Sequence, residues 1–192
     1  MKLFLLTITV LFTSVWSSWA ISFDIWETGM SRQQIVALAR QHNLPLAKDR
    51  FRSNVKSFDP QLVVGETDSF YYYTNLLDHS ALVRMRLSPK RDNYGQFLYE
   101  IDIQFSNKRD LRPYLVKLLE DKYGPGSTTF DMIRKILVWH PEQDGEVTLI
   151  NTPALLQLIY TDTKIKTFAE KLRKSTYALP RKPSAHKDVE RF

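Results

Sequence analysis

The chain has 192 residues, 43% of them hydrophobic and 25% charged, and no cysteine. That composition suits one folded domain or two small subdomains sharing a core, and it excludes disulfides, thiolate metal sites, cysteine nucleophiles and lipid attachment through cysteine. The formal charge is +6, yet nine Lys/Arg stand against three Asp/Glu between Lys164 and Phe192, so the basicity belongs to one end and not to a nucleic-acid-binding surface spread over the fold.

Residues 1–20 read as a secretory signal. Lys2 gives a positive start, Leu3 to Trp16 is an apolar run broken only by Thr and Ser, and Ser18-Trp19-Ala20 places small residues for cleavage after Ala20. The run is shorter than the roughly 20 residues of a spanning helix. The expectation is an exported bacterial protein, periplasmic or secreted, with no transmembrane segment after cleavage near Ala20.

Residues 21–174 read as a single α+β domain. Ser31-Arg32-Gln33-Gln34 is a capping box, with Met30 before it and Ile35 after it at the spacing of a hydrophobic staple. Ile35, Val36, Leu38 and Ala39 then face a core, and Asn43 and Pro45 end the helix. Trp26, just ahead, reads as a packing anchor, with ligand stacking as the other role an indole can take.

Gly29-Met30-Ser31-Arg32-Gln33-Gln34-Ile35 resembles the helix start of BamE-type outer-membrane assembly lipoproteins, although the lipid-bearing cysteine is missing. The wider layout, with Gly29-Met30-Ser31, then Tyr123-Gly124-Pro125 and Trp139, is similar to many uncharacterised exported bacterial α+β proteins. The resemblance implies a fold and a compartment and no activity.

Ala47 to Asp59 reads as an irregular connection. Ser69 to Leu77 is β-prone, with Phe70, Tyr71, Tyr72 and Tyr73 alternating faces; Tyr72 is a second stacking candidate. Asp78-His79-Ser80 reads as a turn, and Ala81 to Leu87 as the next strand. Leu98 to Phe105 follows, with Tyr99, Ile101, Ile103 and Phe105 on one face and Glu100, Asp102 and Gln104 on the other. Arg84 and Arg86 should pair with Glu100 and Asp102 across the strands, each pair contributing a few tenths to about 1 kcal/mol.

Asp110 is the expected N-cap of a helix with an apolar stripe of Leu111, Tyr114, Leu115, Leu118 and Leu119, stopped at Tyr123-Gly124-Pro125-Gly126. Ile136 to His140, Val147 to Ile150 and Leu155 to Tyr160 read as three more strands, with turns at Asp144-Gly145 and Asn151-Thr152-Pro153. Thr161 or Asp162 then caps a last helix carrying Ile165, Phe168, Ala169 and Leu172. The expected order is α-βββ-α-βββ-α in antiparallel sheets with the helices on one side. It contains a duplicated βββα unit with halves at 62–126 and 127–174. Residues 175–192 have the composition of a disordered basic tail.

No nucleophile elbow, phosphate loop, zinc signature or calcium loop occurs, and no pattern implies a cofactor or a metal. Asp78-His79-Ser80 holds triad residue types, but neighbours in sequence do not converge as a triad does. His140, Glu142 and Asp144 are better explained by turn chemistry than by metal ligation. The plainest interaction feature is basic: Lys164, Lys166, Lys171, Arg173 and Lys174 on the last helix, then Arg181, Lys182, Lys187 and Arg191 in the tail. Their expected partner is an anionic envelope component or an acidic protein. The leading expectation is an exported, non-enzymatic binding or envelope-associated protein. The alternative is a small exported hydrolase whose site assembles only in three dimensions.

Overall fold

The structure, a computed structural model, describes residues 21–48, 68–90, 94–106, 110–131, 134–141 and 144–177. The signal, most of the connection after Ala47, Glu142 and the tail cations Arg181, Lys182, Lys187 and Arg191 lie outside the described residues.

A two-residue hairpin, β1 (Ser22–Phe23) and β2 (Trp26–Glu27), opens the fold and leads into α1 (Arg32–Gln41). Both bonds of the capping box form: Gln34 N donates to Ser31 Oγ (3.3 Å), and Ser31 N donates to Gln34 Oε1 (2.8 Å). Ile35 and Ala39 are fully buried, and Asn43 closes the helix at φ 53°, a conformation Asn tolerates better than most residues. Then come β3 (Ala47–Lys48), β4 (Ser69–Leu76), β5 (His79–Leu87), β6 (Leu98–Ser106), α2 (Leu111–Tyr123), β7 (Ser127–Asp131), β8 (Arg134–Trp139), β9 (Gly145–Asn151), β10 (Leu155–Asp162) and α3 (Thr163–Tyr177).

β3 to β10 form one eight-stranded antiparallel sheet in the order β3-β4-β5-β6-β10-β9-β8-β7. The α+β class with antiparallel sheets is therefore observed, and the repeat has a different phase from the expected one. α1-β3-β4-β5-β6 and α2-β7-β8-β9-β10 run alike, helix first and then a four-stranded meander. α3 has no counterpart. The expected βββα unit leaves out β3 and β7 and takes its helix from the end of the strands rather than from their start. β7 is Ser-Thr-Thr-Phe-Asp with every residue exposed, so no alternation marks it.

The two meanders meet at β6 and β10, paired from Ser106↔Leu155 to Glu100↔Thr161. One sheet face is apolar from β4 across to β8. Tyr72, Val83, Ile103, Leu158, Leu149 and Leu137 stand in one row by register and share the core cluster. Ile35 and Ala39 of α1 and Leu111, Leu115 and Leu119 of α2 join that cluster. Tyr114 and Leu118, expected on the α2 stripe, are exposed (53% and 41%), because an i, i+4, i+8 row is all that this helix buries. Asp110 precedes α2 with helical angles and makes no side-chain cap bond, so the expected N-cap is not formed.

The α2 exit depends on its glycines. Gly124 sits at φ 79°, and its carbonyl accepts from Trp139 Nε1 at 3.0 Å. A Cβ on Gly126 would stand 2.6 Å from Trp139 Cε2, so the buried indole fits only against a bare backbone.

The β4–β5 turn is Leu77-Asp78, with φ of 51° and 62°, one residue earlier than expected. Leu76 pairs with His79 across it, which makes a two-residue hairpin with both central residues left-handed. Leucine is poorly suited there, since the left-handed region costs a non-glycine residue roughly 1–2 kcal/mol, and Leu77 is 44% exposed and recovers little by burial. Leu77→Asn should therefore stabilise the protein, by about 0.5–1 kcal/mol. Urea unfolding with an unchanged slope and a higher midpoint would show it; a lower midpoint would mean that Leu77 packs more than its exposure indicates.

Candidate functional site

α3 is anchored at its start by sequence-local chemistry. Asp162 Oδ1 accepts from Ile165 N (2.8 Å), a side-chain cap of the expected kind. Thr163 N and Oγ1 both donate to the Asp144 carbonyl, at 2.8 and 3.0 Å. The helix then turns Ala169, fully buried, toward the body, with Ile165, Lys166, Leu172 and Arg173 half-buried around it.

Two of the five α3 cations thus point inward. Arg173 donates to Tyr99 Oη (3.2 Å) and to the Leu87 carbonyl (3.3 Å), and lies 3.9 Å from Asp68. Its guanidinium also sits 5.7 Å from the Tyr99 ring centroid. Lys166 and Arg173 both act on Glu100. α3 therefore covers part of the polar sheet face, opposite the α1 and α2 side, which corrects the expectation of helices on one side. A register shift between Arg86 and Leu87, where β5 meets β6, puts Leu98 in the core cluster in place of Tyr99, so Tyr99, expected on the apolar face, meets Arg173 instead.

The cross-strand pairing of Arg84 with Asp102 and Arg86 with Glu100 is observed in register. Arg86 and Glu100 approach to 3.0 Å, and Arg84 and Asp102 to 4.0 Å. The carboxylates are not at the surface, however: Glu100 is 5% exposed and Asp102 fully buried. Asp102 also accepts from Gln104 Nε2 (2.9 Å) and Gln157 Nε2 (2.8 Å). Burial pushes the Glu100 carboxyl above the usual carboxylate range, against Arg86 and Lys166, which pull it down. Each pair thus joins a buried carboxylate to an arginine that keeps part of its surface, 27% for Arg84 and 43% for Arg86, and the carboxylate's desolvation competes with the attraction.

The outward face of α3 holds Lys164, Lys171 and Lys174, all exposed. Beside it lies a groove of about 710 Å³ whose walls are mostly apolar. Ile165 and Phe168 of α3 line one side, Phe97 and Gly29 the other. Phe168 meets Tyr94 edge to face at 5.8 Å. Lys164 and Lys171, two helical turns apart, stand on its rim with Thr167 between them, and Asp144 closes the end where the helix starts.

The stacking candidates lie elsewhere. Trp26 is fully buried and Tyr72 is 2% exposed; Trp26 Nε1 donates to Tyr72 Oη at 2.8 Å. They form a core pair with no surface on which to stack a ligand, and burial pushes the Tyr72 hydroxyl up to about 12. Tyr71 and Tyr73 stand on the other face, edge to face at 6.2 Å. His79 is half-buried at the β4–β5 turn, and His140 is exposed after β8; neither lines the groove. Among the described residues no three His, Asp or Glu gather as a metal site.

No family model, curated protein sequence or solved structure matches the chain. The inward roles of Lys166 and Arg173 were missed from sequence. The signal was there: seven residues apart, they flank Ala169, the one small apolar residue of that helix.

The sign of the Glu100 shift has a consequence for stability. A carboxyl raised in the folded state gives its full stability at pH below the ordinary glutamate value and loses it as pH rises through the raised value. Glu100→Gln should therefore gain on the parent as pH goes from 4 to 7, while Arg86→Met, which strands the carboxylate, should lose about 1–3 kcal/mol at pH 7 and less at pH 4. Urea unfolding at both pH values measures this. An Arg86→Met loss that does not change with pH would show that Glu100 is not the group left unpaired.

Proposed function

We propose that this is an exported, non-enzymatic binding protein that works at the cell envelope through the basic outer face of α3 and the cations that follow it. The observation behind the reading is the sorting of the α3 cations. Lys166 and Arg173 are committed to Tyr99, Glu100 and Asp68, while Lys164, Lys171 and Lys174 are left exposed on the other side. Those three lysines form a basic outer face along nearly three helical turns. Arg181, Lys182, Lys187 and Arg191 extend the same charge along the chain.

Among the described residues no helix is long and apolar enough to cross a membrane, so attachment would be peripheral. Each basic residue near an anionic surface contributes about 1 kcal/mol, and several together hold a protein of this size reversibly. A secretory signal over residues 1–20 brings the protein to such surfaces. A hydrolase reading has less behind it, since neither His79 nor His140 shares the groove with a carboxylate and a hydroxyl.

The test is co-sedimentation of the chain from Ile21 to Phe192 with vesicles containing anionic phospholipid, at low salt and at 1 M salt. Lys164→Glu, Lys171→Glu and Lys174→Glu combined should reduce the bound fraction several-fold at low salt. High salt should release the parent protein, because screening shortens to roughly 3 Å. Equal binding by the parent and the triple variant, or none by either, would remove α3 as the contact.

A further inference from the structure

The groove beside α3 does more than adjoin the lysines. We infer that it takes the alkyl chain of a single-chain anionic lipid, a long-chain carboxylate, whose head is held by Lys171. This deepens the envelope reading and rests on it for the source of the ligand, but the groove's own chemistry carries the argument.

Phe97 and Phe168 are large apolar side chains that remain more than a third exposed (37% and 38%), and with Ile165 they face one space of about 710 Å³. That is the size of a small-molecule site, and a monomeric protein rarely leaves aromatic surface grouped without a use for it. Gly29, at φ 88°, gives the groove a floor with no side chain. The nearest groove atom to a Cβ placed there would be Ile165 Cδ1 at 3.9 Å.

Charge sets the ligand's polarity. Asp144 and Asp162 lie together at the start of α3 and repel each other. The helix N-terminus there is already used by the Asp162 carboxylate. Lys164 stands beside the two aspartates, and two carboxylates against that one ammonium make this end the poorer place for an anionic head. Lys171 stands on the rim two turns away, where none of the described lining residues is a carboxylate. A carboxylate therefore sits at Lys171, and its chain runs back over Phe168 and Ile165 toward Gly29. A flat or strongly polar ligand would leave the apolar walls wet, and a cation would face Lys171 directly.

The probe is dodecanoate labelled with 13C at its carboxyl, titrated below its micelle concentration into the chain from Ile21 to Phe192 and followed by NMR. Saturable binding that shifts the carboxyl resonance and the methyl signals of Ile165 is expected. Thr167→Trp, an exposed position on the groove, fills the space and should weaken binding tenfold or more, about 1.4 kcal/mol or above, with an unchanged unfolding midpoint as the check on folding. Lys171→Ala should weaken it about 2- to 5-fold, the range of an exposed ion pair, and dodecanol should bind the parent no better than dodecanoate binds that variant. Absence of saturable binding, or binding indifferent to Thr167→Trp, overturns the inference. If Thr167→Trp still sediments with anionic vesicles while dodecanoate fails to bind the parent, the groove proposal falls and the envelope reading stands. Dodecanoate binding by a parent that ignores vesicles has the opposite meaning.

Discussion

β6 is buried on both faces, and this sets the terms for its neighbours. Its apolar side is a simple matter, since Ile101, Ile103 and Phe105 find partners across β5 and β10 and under α1 and α2. Its other side puts two carboxylates, Glu100 and Asp102, where water scarcely reaches. Each must be met by donors or the strand would not hold. Arg84 and Arg86 come from β5 by register, Gln157 comes from β10, and Gln104 reaches along the same strand. α3 supplies the remaining positive charge. The central ladder of the sheet and the position of the last helix are thus one electrostatic problem.

That coupling explains what could be read from the sequence. The α1 start was legible because a capping box needs only residues three apart, and the bonds formed as expected. The α2 stop was legible because Gly124 and Pro125 act on their own backbone. The alternation of β6 from Glu100 to Phe105 and its pairing with the arginines of β5 was legible because side chains change face at every residue, while the register shift that puts Leu98 in the core in place of Tyr99 left no mark in the sequence. Asp110 failed as a cap although the residue type was right; its angles are those of the helix itself, and local preference yielded to the path of the chain. β3 and β7 were hidden because β3 is only two residues long and β7 buries none of its five, so neither gives a periodic signal. The depth of Glu100 was hidden for a different reason. Alternation marks a face as polar and is silent on what comes to lie over it.

The candidate site was half legible for the same reason. A run of cations on one helix shows that charge is present, while the direction of each side chain is set by which residue can approach the sheet. Ala169 makes that approach. With it fixed, Lys166 and Arg173 fall toward the strands and Lys164, Lys171 and Lys174 away from them. Trp26 and Tyr72 show the opposite case: two aromatic residues that chemistry alone would allow at a surface satisfy each other inside the core.

The repeat gives this asymmetry its cause. Two αββββ units joined through an antiparallel central pair are related by an approximate two-fold axis normal to the sheet, and such an axis leaves each face on its own side. α1 and α2 must then lie on the same face, and they do. A fifteen-residue α3 with no symmetry mate cannot join them on a face already covered, and the buried carboxylates of β6 draw it to the other. One helix cannot cover eight strands. Leu82, Ile136, Val138, Ile150 and Ile159 on that face remain only half-buried, and the flank of α3 is left standing beside Phe97 and Gly29 with a groove between them. The groove and its lysines therefore arise where the symmetry of the fold is broken, and the part of this protein with no twin is the part left with surface to offer.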